Sequence, residues 1–244
     1  MHINRNTGER VIIKESAFNA NERAFQDYLK DLAERKRQAS AKQMQTKTSS
    51  MFSPTLWKTC RVLAEPRHLQ LLRHLHLHEE EGHTIKTIAE SLSLPQCTAG
   101  RYLKELQARG LCRVTRISVF GFYSINPDWR VSQAAPILGA VLDAFENGFT
   151  DEDIIAEMTA YTYRKRPEFL RFIHDHPNCT FADLMYGTRN SYMATDWNLA
   201  KLVRRGIVEE TKQGLRLLPP RNPLAAVLRE IALSLPGIDN MARP

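Results

Sequence analysis

The run Leu103-x-x-Leu106-x-x-Arg109-Gly110-Leu111 returns 96 residues later as Leu199-x-x-Leu202-x-x-Arg205-Gly206-Ile207. The same offset carries Thr84 to Thr180 upstream and Asn126-Pro127 to Asn222-Pro223 downstream, so the register holds without a gap. A single chance motif does not keep register over such a span, and the chain reads as one architecture built twice. Each copy has the pattern of a short helix, a tight turn, a longer helix closed by glycine and then two strands. That order is the outline of a winged helix-turn-helix. The expected fold is mainly α with small β-hairpins, an α+β protein, with tandem winged helix-turn-helix domains packed as an intrachain pseudo-dimer.

A length of 244 residues suits roughly two ordinary domains, the count the repeat gives independently. The expected boundaries are a basic arm over 1–53, a first winged domain over 54–148, a second over 149–237 and a flexible tail over 238–244. The arm is sparse in apolar residues and is expected to be mobile. Within it Phe25, Tyr28, Leu29 and Leu32 share one helical face, which predicts an amphipathic helix over 21–38 that covers the body of the protein, pairs two chains as a homodimer, or covers nothing until a partner arrives.

In the first copy, residues 55–65 and the segment opened by Pro66 read as helices, the latter with a Leu69, Leu72 and Leu75 core stripe. Thr84 is a candidate cap for a short helix, Ser93-Leu94-Pro95 makes the turn, and residues 96–109 form the longer helix that Gly110 ends. Residues 111–125 are β-branched and aromatic, as a hairpin needs, with its tip at Arg116 to Val119. A further helix is expected over 132–147. The second copy repeats the plan, with a hairpin around Lys212-Gln213-Gly214 and a last helix striped by Leu224, Val227, Leu228, Ile231 and Leu235. These closing helices are apolar on one face and are expected to pack the two copies together.

Lys and Arg number 34 against 27 Asp and Glu, a formal charge of +7 that favours an anionic partner. Cys60, Cys97, Cys112 and Cys179 are widely spaced without a C-x-x-C pair, which predicts buried free thiols in a reducing compartment. The N-terminus has no apolar leader, and no apolar run approaches the roughly 20 residues that cross a bilayer. A cytoplasmic, nucleoid-associated protein without a membrane role is expected. His74 and His78 lie four apart near His68, His76 and His83, as two metal ligands do. Spacing fixes no third ligand, so a solvated histidine-rich helix end is expected and no metal or cofactor is assigned. No Gly-rich phosphate loop, H-E-x-x-H or G-x-S-x-G is present, and the reading is not that of an enzyme.

The run Arg61 to Leu72, then Thr84 to Ala89, then Gln96 to Gly110 and the hairpin, resembles the ArsR-like winged helix-turn-helix regulators of bacteria. The resemblance covers about residues 55–147 and, more weakly, 150–235. It implies dimeric repressors of transcription, here with both winged domains in one chain. The family's metal-sensing cysteine pair is not matched, since only Cys97 stands near the start of the longer helix.

A recognition helix meets base edges with its first residues, which nominates Gln96, Thr98, Gly100 and Arg101 as sequence readers. Lys104, Lys86, Arg113 and Arg116 are assigned to phosphates. In the second copy the helix offers Tyr192, Asn198 and Lys201, with Arg189, Arg204 and Arg205 as further cations, but also Asp196 and Trp197, which suit a groove poorly. Either this helix grips a DNA backbone, or it holds a second chain or another protein. The leading expectation is a sequence-specific regulator that binds double-stranded DNA, with RNA polymerase or another protein as a further partner. The alternatives are an assembly or chromosome-organising protein and a replication initiator.

Overall fold

Thr84 and Thr180, the two aligned threonines, both cap helices. Thr84 Oγ1 accepts from the Thr87 amide at 3.2 Å while Thr87 Oγ1 accepts from the Thr84 amide at 2.9 Å. Thr180 makes the same reciprocal box with Asp183 at 3.2 and 2.9 Å. Each box satisfies amides that a helix start leaves without intrahelical partners. The computed structural model describes residues 56–78 and 83–234, all in one compact unit. The expected arm over 1–53, its helix over 21–38, the homodimer contact through that helix and the tail over 238–244 lie outside the described residues.

Among the described residues the chain is mainly helical, with ten helices and two small antiparallel hairpins. The first copy runs α1 (Leu56–Leu63), α2 (Pro66–Leu77), α3 (Ile85–Ser91), α4 (Gln96–Ala108), β1 (Arg113–Ile117), β2 (Phe120–Ser124) and α5 (Ala134–Glu146). The second runs α6 (Asp151–Ala160), α7 (Arg166–Asp175), α8 (Phe181–Gly187), α9 (Tyr192–Arg204), β3 (Val208–Thr211), β4 (Gly214–Leu217) and α10 (Pro223–Ser234). The longer helices α4 and α9 each have 13 residues, and each ends at a glycine in the left-handed region, Gly110 at φ 71° and Gly206 at φ 64°. Glycine reaches that conformation without the steric cost a side chain brings, which is why both copies of the repeat retain it.

The residue before each capped threonine joins its copy's hairpin. The Tyr123 amide donates to the His83 carbonyl at 2.7 Å, and the Leu215 amide donates to the Cys179 carbonyl at 2.8 Å. His83 and Cys179 therefore make matched third-strand bridges, and both are buried. His68 is buried as well, so the expectation of a solvated histidine-rich end is corrected at both positions: one is packed beneath α4 and the other is bridged to β2. Cys60, Cys112 and Cys179 are buried free thiols, whereas Cys97, expected to be buried, is exposed in the first turn of α4.

One apolar core runs through both copies. It takes Leu56, Leu69, Leu72, Leu103 and Leu106 from the first and Met158, Phe169, Leu170, Leu199 and Leu202 from the second. The closing helices α5 and α10 pack directly on each other, and α6 packs on α1 and α2. The sequence expectation of contact between the closing helices therefore matches their placement. Polar groups fasten the same region. Arg73 of α2 donates to Asp151 Oδ1 at 2.7 Å and to the Phe149 carbonyl at 3.3 Å, with its Cζ 4.0 Å from the centre of the Phe145 ring. Glu157 of α6 is buried, and its Oε1 accepts from Arg221 and Asn222 at 3.0 Å each. Asn222 Oδ1 also caps α10 by accepting from the Ala225 amide at 2.8 Å, which gives the repeated Asn-Pro pair a structural role in this copy.

Arg73→Ala removes a charge-assisted bond, a backbone bond and a ring contact together. Thermal unfolding of this variant is expected to show a loss of about 2 kcal/mol. An unchanged midpoint would show that the junction does not depend on these interactions.

Candidate nucleic-acid interface

Pro95 precedes α4 in extended backbone at φ −60°, after a turn in which Ser93 takes φ 51°. This turn lets α4 cross α3, with Ala99, Leu103 and Leu106 against the core. The opposite side presents Gln96, Arg101 and Lys104, all exposed, along a shallow groove that Ile85 and Ala108 also line. Lys86 on α3, the helix that packs on α4, is exposed, and so are Arg113 and Arg116 on β1. Lys86 Nζ lies 3.9 Å from Glu90, a solvent-screened pair that a phosphate can displace. Arg101, Lys104, Arg113 and Arg116 make no ion pair with a carboxylate among the described residues. The hairpin turns at Ser118-Val119, with Ser118 at φ 55°, and leaves Val119 87% exposed at its tip.

Two of the expected sequence readers stand differently. Gly100 is buried: a Cβ there would lie 3.6 Å from Ile85 Cδ1, in ordinary contact, so this residue lines the groove where α3 meets α4 and offers no exposed group of its own. The cause is the crossing of α3 beneath the first turns of α4, which the periodicity of α4 alone does not contain. Thr98 is half-buried and presents only part of its surface.

In the second copy Tyr192 is 62% exposed and Lys201 is half-buried, while Asn198 is corrected from a surface contact to a core residue at 1% exposure. Asn198 Nδ2 donates to the Ala194 carbonyl at 2.7 Å, and its Oδ1 accepts from Arg166 Nε at 3.1 Å. Arg166, 2% exposed, is the residue that sequence reasoning missed. Its Nη1 donates to the Thr159 and Ala160 carbonyls at 2.8 and 3.4 Å, so a cation closes the negative end of α6. Its guanidinium lies 5.2 Å from the centre of the Trp197 ring and 5.9 Å from that of Tyr163. The signal in the sequence was the run Tyr163-Arg164-Lys165-Arg166 before Pro167, basic and aromatic at the mouth of a helix.

A second concavity of the first copy lies between α1 and α4, lined by Trp57, Arg61, Glu65, His68, Arg101 and Glu105 among others. His68 Nε2 lies 3.0 Å from Glu105 Oε2, an ion pair only when the imidazole is protonated. Burial lowers the His68 pKa from its ordinary 6.5, against the opposing pull of Glu105. The folded chain therefore takes up this proton at lower pH than the unfolded chain does. The associated stability is present above about pH 6.5 and is lost as pH falls through the depressed folded value. Melting temperatures are expected to drop on acidification, with a shallower drop in His68→Asn; equal slopes in the two proteins would contradict this assignment.

Among the described residues no group of three or more His, Cys, Asp and Glu is arranged to hold a metal ion, and no helix is long and apolar enough to cross a membrane. No family model, curated protein or solved structure matches this chain.

Proposed function

We propose that the chain is a sequence-specific double-stranded DNA-binding transcriptional regulator, built of tandem winged helix-turn-helix domains packed as an intrachain pseudo-dimer. The observation that carries the reading is the outward face of α4, where Gln96, Arg101 and Lys104 are exposed together and the two cations have no carboxylate partner among the described residues. A 13-residue helix presented in this way fits a major groove, with Gln96 suited to adenine and Arg101 to guanine. Lys104, Lys86, Arg113 and Arg116 supply phosphate contacts that fix register and affinity. Packing of α5 on α10 and of α6 on α1 and α2 supports the pseudo-dimer, because it buries between copies the faces a separate partner would otherwise cover. Regulation then follows from occlusion or recruitment of RNA polymerase at the bound site.

The test is affinity for a long mixed-sequence duplex measured across salt concentrations. Log K is expected to fall linearly with log salt, and Lys104→Gln and Arg113→Gln are each expected to reduce the slope by about 0.9. A duplex affinity that is absent, or that does not respond to salt, would contradict the proposal.

A further inference from the structure

The second copy carries a cation cluster with no acid to balance it. Arg166, Lys201, Arg204 and Arg205 make no ion pair with a carboxylate among the described residues. Their mutual repulsion is felt at Lys201, whose pKa is lowered first by desolvation and then by Arg205, Arg166 and Arg204. Arg205 Nε is buried and has no hydrogen-bond partner. In the first copy the position equivalent to Lys201 is Glu105, which faces His68, so an acid in one copy is a cation in the other. Folding keeps these like charges together at a cost, and an anion offsets that cost.

The anion is specified by what stands beside the charges. Trp197 is 61% exposed, and Tyr163 meets it edge-to-face at 6.0 Å and 84°. Arg166 supports the Trp197 ring from within while bonded to Asn198 and the end of α6. Trp197, Lys201 and Arg204 follow one another at helical spacing on one side of α9, whereas Asp196 lies about 100° around the helix from Trp197. Met193, 74% exposed and one turn before Trp197 on the same side, extends the apolar platform toward the start of α9. An exposed, propped indole followed along the helix by cations without an acidic partner matches a strand whose bases are free to stack, and a paired duplex does not offer its base faces.

We propose that this corner of α7 and α9 binds single-stranded nucleic acid, stacking an unpaired base on Trp197 and holding the adjoining phosphates with Lys201, Arg204 and Arg205. The inference rests on second-copy residues and does not require duplex reading by α4. A chain with both surfaces engages DNA where duplex meets opened strand.

The experiment uses the full chain with labelled dT and rU oligomers of roughly 16 nucleotides. Binding with tryptophan quenching is expected in the wild type; the dT arm alone identifies a DNA strand, and both arms identify a strand read without regard to the 2′-hydroxyl. Trp197→Ala is expected to weaken binding about tenfold or more, and Trp197→Phe to retain most affinity while losing the quench. Lys201→Gln with Arg205→Gln is expected to lower the salt slope by about 0.7 for each phosphate left without its cation. Arg101→Ala with Lys104→Ala is expected to leave strand binding unchanged, which separates failure of this site from failure of the α4 reading. The proposal is overturned if neither oligomer binds, if Trp197→Ala and Trp197→Phe bind as the wild type does, or if a blunt duplex competes as well as the strand.

Discussion

Gly214→Ala is expected to be the most destabilising glycine-to-alanine change among the described residues. Gly214 follows the Lys212-Gln213 turn, pairs with Thr211 and adopts φ 129°, a backbone that side chains rarely tolerate. A Cβ at this position would fall on the Asn178 carbonyl group and 2.8 Å from the Cys179 carbonyl oxygen. Those atoms are backbone and cannot rotate away. Relief requires β4 to leave the segment before α8, which breaks the Leu215 bond to Cys179 and the Asn178 bond to Leu215, 2.8 and 3.0 Å in length. Strain and overpacking together are expected to remove about 4 kcal/mol. Calorimetry checks the value against Gly139→Ala in α5, where an added Cβ meets nothing within 4 Å. That control is expected to stabilise by about 0.5 to 1 kcal/mol, because alanine loses less conformational freedom in a helix than glycine. A Gly214→Ala midpoint as high as that of the wild type would contradict the geometry of the second hairpin.

The second large effect concerns binding and leaves the fold intact. Arg101 and Lys104 are exposed, with the Arg101 guanidinium 5.1 Å from the centre of the Tyr102 ring. Arg101→Ala combined with Lys104→Ala is therefore expected to unfold at nearly the wild-type temperature. Removing one bidentate base pairing and one phosphate anchor is expected to cost about 3 kcal/mol in duplex affinity, roughly a hundredfold. Isothermal titration at one moderate salt concentration measures it. A change below about threefold would place the reading surface elsewhere than α4.

The repeat makes much of this architecture legible in the sequence alone. Thr84 and Thr180 were readable as caps and Gly110 and Gly206 as helix ends, because each role depends on a residue's own backbone and its near neighbours. The leucine stripes were readable for the same reason. Gly100 and Asn198 were not, because outward placement on a helix says nothing about a second element that crosses it: Ile85 closes over Gly100, and Arg166 reaches Asn198 from another helix. Arg166 itself escaped notice because a buried arginine is justified only by partners distant in sequence, here the carbonyls ending α6 and an amide 32 residues away.

Equivalence of scaffold and difference of surface follow from the same comparison. Glu105 and Lys201, and Arg101 and Trp197, occupy matched positions on α4 and α9, yet one helix offers exposed polar side chains and the other an aromatic and cationic strip. The leucines that hold each helix in place, Leu103 and Leu106 in α4 and Leu199 and Leu202 in α9, face the core and constrain these residues little.

The most direct test of the central claim is repeated selection by the full-length protein from a random-sequence duplex library. Enrichment of one short sequence by the wild type, abolished in Arg101→Ala with Lys104→Ala, is the result expected. Recovery of no sequence above the input, or of the same sequence by both proteins, would contradict the assignment of α4 as a reader of double-stranded DNA.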